Sequence, residues 1–167
     1  MIVTSKGIVN GIIEDRYGKR GTAFNPNGIP MCSLPLKIEQ APVGTVSYAL
    51  VLEDKDAYPV TRGFSWIHWL AANLTRDELQ ENESQTAVDF VQGRNSWTSL
   101  QGGEQSVELS SFYGGMTPPD APHTYEIHVF ALDRLLELET GFGLHELYKQ
   151  MDGHILEQYT LKGVYRN

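Results

Sequence analysis

Ser111-Phe112-Tyr113-Gly114-Gly115-Met116-Thr117-Pro118-Pro119-Asp120-Ala121-Pro122-His123-Thr124-Tyr125-Glu126-Ile127-His128-Val129-Phe130-Ala131-Leu132-Asp133 carries more information than any other part of this 167-residue chain. Its first half is a loop in which paired glycines permit positive φ and close backbone approach, and Pro118 and Pro119 stiffen the exit. Its second half reads as a strand. Side chains alternate along a strand, so His123, Tyr125, Ile127 and Val129 share one face and Thr124, Glu126, His128 and Phe130 the other. An imidazole, a phenol and the backbone N–H groups of Gly114 and Gly115 would then converge, a donor set suited to a small anion. Taken alone, a His and a Tyr two residues apart in a strand are more often a packed pair than a site.

Upstream, Thr45 to Leu52 is a near-continuous apolar run, read as a strand covered on both faces. It delivers Asp54 and Asp56 at its end. Phe64 to Ala72 reads as a second buried strand, with Phe64, Trp66, His68 and Leu70 on one face and Ile67 and Trp69 on the other. Further back, Ile8-Val9-Asn10-Gly11-Ile12-Ile13 has the Asn-Gly hairpin signature, and Pro35 to Ile38 is another short strand.

Downstream, Leu144, Leu147, Tyr148 and Met151 fall at i, i+3, i+4 and i+7, which predicts an amphipathic helix closed near Gly153. A second short helix is expected after it, with Asp152 as a cap and Ile155, Leu156 and Tyr159 buried. Gly163 to Arg166 reads as a short strand or sheet-edge segment. Thr75-Arg76-Asp77-Glu78 has capping-box spacing and predicts a short surface helix or turn. Gly93-Arg94-Asn95-Ser96-Trp97 reads as a turn, and Thr98 to Ser110 as a polar loop.

The chain fits one domain, residues 1–167, large enough to bury a proper core. A net charge of −8 argues against nucleic acid or an anionic membrane surface as principal partner, since both need a cationic face. A lone cysteine, Cys32, excludes an intramolecular disulfide. With no signal-peptide core and no long apolar run, the expectation is a cytoplasmic protein with no stable membrane insertion.

In order along the chain stand an acidic Asp54-Lys55-Asp56-Ala57 loop, the Trp66-Ile67-His68-Trp69-Leu70 strand ending in Asn73, Gly93-Arg94-Asn95-Ser96, and Tyr113-Gly114-Gly115 followed by Pro118-Pro119 and His123-Thr124-Tyr125. As a set they resemble the phosphatidylethanolamine-binding protein family, in its bacterial Raf-kinase-inhibitor-like branch. The resemblance implies a mostly β fold, a Greek-key antiparallel β-sandwich with a few short peripheral and C-terminal helices. It also implies a small cavity for phosphate, phosphoethanolamine or related anions. Carried over by position, the ligand-binding residues would be Asp54, His68, His123 and Tyr125, lined by Gly115, Pro118 and Pro119, with Asp56, Tyr58, Trp66, Arg94, Asn95 and Tyr113 at the rim.

Three departures matter. Lys55 and Tyr58 stand where relatives carry prolines, which removes stiffness from the acidic loop. Met116-Thr117 precedes Pro118-Pro119 where Gly or Cys is commoner, and Arg94 adds a cation near the expected rim.

No nucleophile elbow, zinc motif or dinucleotide fingerprint is present, so neither catalysis, metal nor cofactor is expected. The leading expectation is non-enzymatic binding of a small anionic ligand, with regulation of a protein partner. The alternatives are an inhibitor of a kinase or serine protease with a vestigial pocket, or a phosphoester hydrolase. Relatives further imply a homodimer.

Overall fold

The computed structural model describes residues 1–167, and two sheets dominate it. A three-stranded sheet runs in the order β1 (Ile2–Thr4), β4 (Leu36–Glu39), β7 (Glu78–Leu79). A seven-stranded sheet runs β2 (Ile8–Val9), β3 (Ile12–Ile13), β10 (Ile155–Tyr165), β9 (His123–Leu132), β5 (Ser47–Asp54), β6 (Trp66–Leu74), β8 (Val91–Gly93). The mostly β fold expected from the sequence is therefore present, with three short α-helices: α1 (Tyr58–Thr61), α2 (Val107–Ser110) and α3 (Leu144–Met151). One expectation fails, because β3 pairs with β10 in parallel through Val164 and Ile12, so the large sheet is not purely antiparallel.

The main core joins the two sheets. Val3, Leu36, Ile38 and Leu79 from the small sheet cluster with Leu50, Leu52, Trp69, Ile127 and Val129 from the large one. On the other face of the large sheet, Leu147 and Met151 of α3 bury against Ala49, Val51, Leu70, Ala72 and Phe130. Thus β5 is apolar throughout because both of its faces are covered, as its sequence implied. The Asn10-Gly11 hairpin forms as expected, with positive φ at both positions.

Two helix expectations are overturned. Ile155–Tyr165 is one eleven-residue strand paired along β9, not a helix followed by an edge segment. Thr75 to Glu78, where the capping-box spacing predicted a short helix or turn, forms no helix: the chain bends at Arg76 and Asp77, and Glu78–Leu79 pairs with β4. In both cases an open strand edge supplies more hydrogen bonds than a short isolated helix can retain in water.

Candidate functional site

β9 carries His123 and Tyr125 on the inner face, and its alternation holds: Tyr125, Ile127 and Val129 all join the main core. β6 does not alternate as read from sequence. Register passes from Leu52–Trp69 to Glu53–Ile67, one step on β5 against two on β6, which leaves His68 as the extra residue of a β-bulge. His68 accordingly turns away from Leu70 and faces the main core. Its ring meets Tyr125 edge-on at 5.2 Å and Trp97 at 5.4 Å between centroids.

Asp54, at the end of β5, fixes two things at once. Oδ1 accepts the Ala57 N–H at 3.1 Å, and Oδ2 lies 2.7 Å from His123 Nδ1. Asp56 Oδ2 accepts the Thr124 N–H at 2.8 Å. These bonds pin the acidic loop where the absent prolines would have stiffened it. The other ring nitrogen of His123, Nε2, lies 2.9 Å from Asp120 Oδ1.

A pocket of about 280 Å³ sits beside these groups, lined by Asp54, His68, Trp66, Trp97, Gln101 and Pro119 among others. His123 and Tyr125 stand behind that lining, both buried. The structure thus brings Asp54, His68, His123 and Tyr125 together.

Other sequence-predicted positions lie apart from the pocket wall. Gly115 and Gly114 have ordinary φ, and their N–H groups are already spent on Pro30 O (2.8 Å) and His68 O (2.9 Å). No backbone cradle for an anion is free there. What the pair supplies is close approach: a Cβ at Gly115 would come 2.5 Å from Tyr17 O, and one at Gly114 2.3 Å from the Trp97 ring.

Pro118 is buried, its carbonyl accepting from Lys19 Nζ. Arg94 donates to Gly141 O, and Asn95 caps the Trp97 N–H and donates to Phe112 O. Tyr113 is buried with its hydroxyl on Tyr17 O, and Tyr58 is exposed outside the pocket wall. Sequence reading missed Trp97, Gln101 and Asp120. Only Asp120 had a local signal, a carboxyl three residues before His123.

His68 Nδ1 lies 2.8 Å from Gly114 O, so Nδ1 must carry the proton and donate. Burial holds this imidazole below its ordinary value, neutral, with Nε2 an acceptor. His123 behaves oppositely. Burial works against its charge, but hydrogen bonds and attraction from Asp54 and Asp120 outweigh it and raise the pKa. Both ring nitrogens face carboxylates, as an imidazolium requires. Burial, followed by the nearby Asp54 carboxylate, pushes the Tyr125 phenol up, so Tyr125 remains a donor. Its Oη is buried and turned toward the Asp54 carboxylate, whose hydrogen-bonding pull also raises it, whereas Trp66 Nε1, on a residue of the pocket wall, is buried with no acceptor.

A pH signature follows from the two histidines. The unfolded chain protonates at His68 before the folded one does, so stability falls as pH drops below the ordinary histidine value of about 6.5. The folded chain holds the His123 proton above that value, so stability also falls as pH rises from about 6.5 through the raised pKa. Glu53, held at about 2 chiefly by its hydrogen bond with His128, acts only at lower pH. Denaturant midpoints are expected to peak near pH 6.5. In His123→Gln the decline above the peak should vanish, and its persistence would contradict this assignment.

Elsewhere, Glu53, Glu126 and His128 bring potential metal ligands within 4.8 Å of one another. Lys55 Nζ already lies 2.5 Å from Glu126 and 3.3 Å from Glu53, and Lys162 Nζ 2.7 Å from Glu126. The lysines supply the positive charge that a cation would bring.

The model of the phosphatidylethanolamine-binding protein family matches residues 4–166 of this chain. The chain belongs to the phosphatidylethanolamine-binding protein family. Among relatives, the uncharacterized protein YxkA of Bacillus subtilis is 40% identical over 157 residues, covering 92% of this chain and 93% of YxkA. A crystal structure of a phosphatidylethanolamine-binding protein homolog from Chlamydia trachomatis superposes with TM-score 0.79 at 30% identity, over 99% of this chain and 96% of that one. Escherichia coli YbcL shares the fold, with TM-score 0.75 at 21% identity, over 99% and 97% of the two chains. The family resemblance carried by the four sequence motifs is borne out. No helix in the chain is long and apolar enough to cross a membrane.

Proposed function

We propose that this phosphatidylethanolamine-binding protein family member binds a small phosphate-like ligand in the pocket beside Asp54 and His68, without chemical turnover. The observation that carries the reading is Trp66 Nε1, a buried donor without an acceptor on a residue of the pocket wall, in a pocket that Asp54 shares with the His123 imidazolium behind it. A buried polar group left unpaired costs about 1–3 kcal/mol, and native proteins leave few of them. A ligand oxygen reaching Trp66 Nε1 would recover that cost. The aromatic ring chain Phe64–Trp66–Trp97–His68–Tyr125 gives the pocket a firm wall that needs little reorganisation on binding.

Non-enzymatic binding suits the groups present. His68 Nε2 is an acceptor in the neutral ring, but both nitrogens of His123 are engaged, which leaves no free general acid beside it. Coupling of pocket occupancy to a protein partner is part of the same proposal, supported by the exposed apolar side chains Tyr58 and Val60 of α1 next to the pocket.

Calorimetric titration of phosphoethanolamine into the wild type and His123→Ala tests the reading. Saturable one-site binding by the wild type is expected, weakened about tenfold or more in the variant, which removes the positive charge held against Asp54 and leaves that buried carboxylate on the pocket wall to repel the anion. Equal binding by both proteins, or none by either, would refute it.

A further inference from the structure

We propose that Glu53, Glu126 and His128 form a binding site for one divalent first-row transition ion, with zinc as the ion to test, on the face of the large sheet opposite the pocket. The site is independent of the phosphate-binding reading above.

Strand register assembles it. Glu53 of β5 stands directly opposite Glu126 of β9, Glu126 stands opposite Lys162 of β10, and His128 pairs with Thr160 two residues further along β9. By alternation all of them point away from the main core, to the side on which Val51 and Phe130 pack against α3. Two carboxylates facing each other across a ladder repel unless a cation lies between them. Lys55 Nζ meets that need, 2.5 Å from Glu126 Oε2 and 3.3 Å from Glu53 Oε1. A metal ion would gain a further ligand, because the same two oxygens also face an imidazole nitrogen. His128 Nε2 lies 2.9 Å from Glu53 Oε1 and 3.5 Å from Glu126 Oε2, and the three atoms all fall within 4.8 Å of one another. Atoms bound about 2.0–2.1 Å from a zinc ion stand roughly 2.9–3.4 Å apart. The trio is already close to coordination spacing.

Each of the three is also held from behind. Thr160 Oγ1 lies 2.9 Å from His128 Nδ1 and can accept its hydrogen, which leaves Nε2 bare for a metal. Lys162 Nζ holds the far oxygen of Glu126, Oε1, at 2.7 Å, and the buried Ser65 Oγ is turned toward Glu53. Partners of this kind fix the aim of metal ligands. The Glu53 and Glu126 side chains are 14% exposed and that of His128 10%, whereas Lys55 is 51% exposed. The ligands are therefore set into the sheet, while the ammonium between them can swing into solvent and make room. One imidazole with two carboxylates favours a zinc-like ion over magnesium or calcium, which take oxygen ligands. No spacing in the sequence announces this set, because β5 and β9 meet only in the fold.

Calorimetric titration of the full chain with zinc chloride, and separately with magnesium chloride, tests the assignment in wild type, Lys55→Gln, His128→Gln and Thr160→Val. One zinc per chain and no magnesium binding are expected for wild type. Lys55→Gln should bind zinc about two- to fivefold tighter, the range for an exposed charge pair, since the competing ammonium is gone. Thr160→Val should bind about tenfold weaker or more, the effect of losing a partner behind a metal ligand, and His128→Gln should lose the site. Zinc binding unchanged in His128→Gln and Thr160→Val would mean an adventitious ion only and would overturn the proposal, as would no zinc binding by wild type. Should His128→Gln fail to fold, a wild-type crystal soaked in zinc decides the matter. An anomalous peak between His128 Nε2, Glu53 Oε1 and Glu126 Oε2 supports the site, and peaks only elsewhere overturn it.

Discussion

Asp54→Ala is expected to destabilise the protein by about 3–5 kcal/mol, the cost of breaking a buried charge pair from one side. The side chain is almost inaccessible and serves two donors, the Ala57 N–H and His123 Nδ1. Its loss leaves an imidazolium in the interior with only the solvent-facing Asp120 as partner, and His123 gives up its proton at neutral pH as a result. Two readouts therefore move together. The denaturation midpoint falls, and the loss of stability above pH 6.5 disappears, because the folded chain no longer holds a proton that the unfolded chain releases. Asp54→Asn keeps an acceptor for Ala57 and should lose less stability while showing the same flattened pH limb. A drop below about 1 kcal/mol in Asp54→Ala would place this pair in the class of weak surface contacts instead.

Gln92→Leu is expected to cost about 3 kcal/mol or more, although the residue lies outside the pocket. Gln92 is buried on β8, where Oε1 accepts from Trp69 Nε1 at 2.7 Å and Ser84 Oγ at 2.6 Å, and Nε2 donates to Ser84 O at 2.9 Å. The shorter apolar side chain leaves part of the space unfilled and orphans an indole N–H, a hydroxyl and a carbonyl, each costing about 1–3 kcal/mol. The same network reaches the site. Ser84 Oγ accepts the Tyr113 N–H at 2.9 Å, Gly114 follows, and Gly114 O orients His68. For a chain of this size the midpoint should fall by roughly 6–12 °C. Ligand affinity should weaken with it, since Ser84, which holds the Tyr113 N–H at the start of the Gly-Gly loop, loses the partner that orients it. A midpoint unchanged within error would show that the network is dispensable.

How much of this was legible in the sequence depended on whether the signal was local. The β9 face was legible because period-2 alternation survives wherever a strand has neighbours in register on both sides, as β9 has in β5 and β10. His68 was assigned to the wrong face because a bulge is set by the register of two strands together and leaves no mark in either alone. Gly114 and Gly115 were correctly read as needing close approach, but a sequence cannot show that their N–H groups already have acceptors. Ile155 to Tyr165 contains good helix formers in Leu156, Glu157, Gln158 and Leu161, and tertiary pairing overrode that preference. Asp120 was overlooked although its place three residues before His123 was open to view. An acidic residue in a Pro-rich loop has an ordinary reading as solvated charge, and only coordinates show it turned inward onto Nε2.

The most direct measurement is a crystal structure of the wild-type protein grown with phosphoethanolamine. Phosphoryl density is predicted in the pocket bounded by Asp54, His68, Trp66 and Trp97, with an oxygen within hydrogen-bonding distance of Trp66 Nε1. Density only outside that pocket, or a pocket holding water alone at saturating ligand, would contradict it.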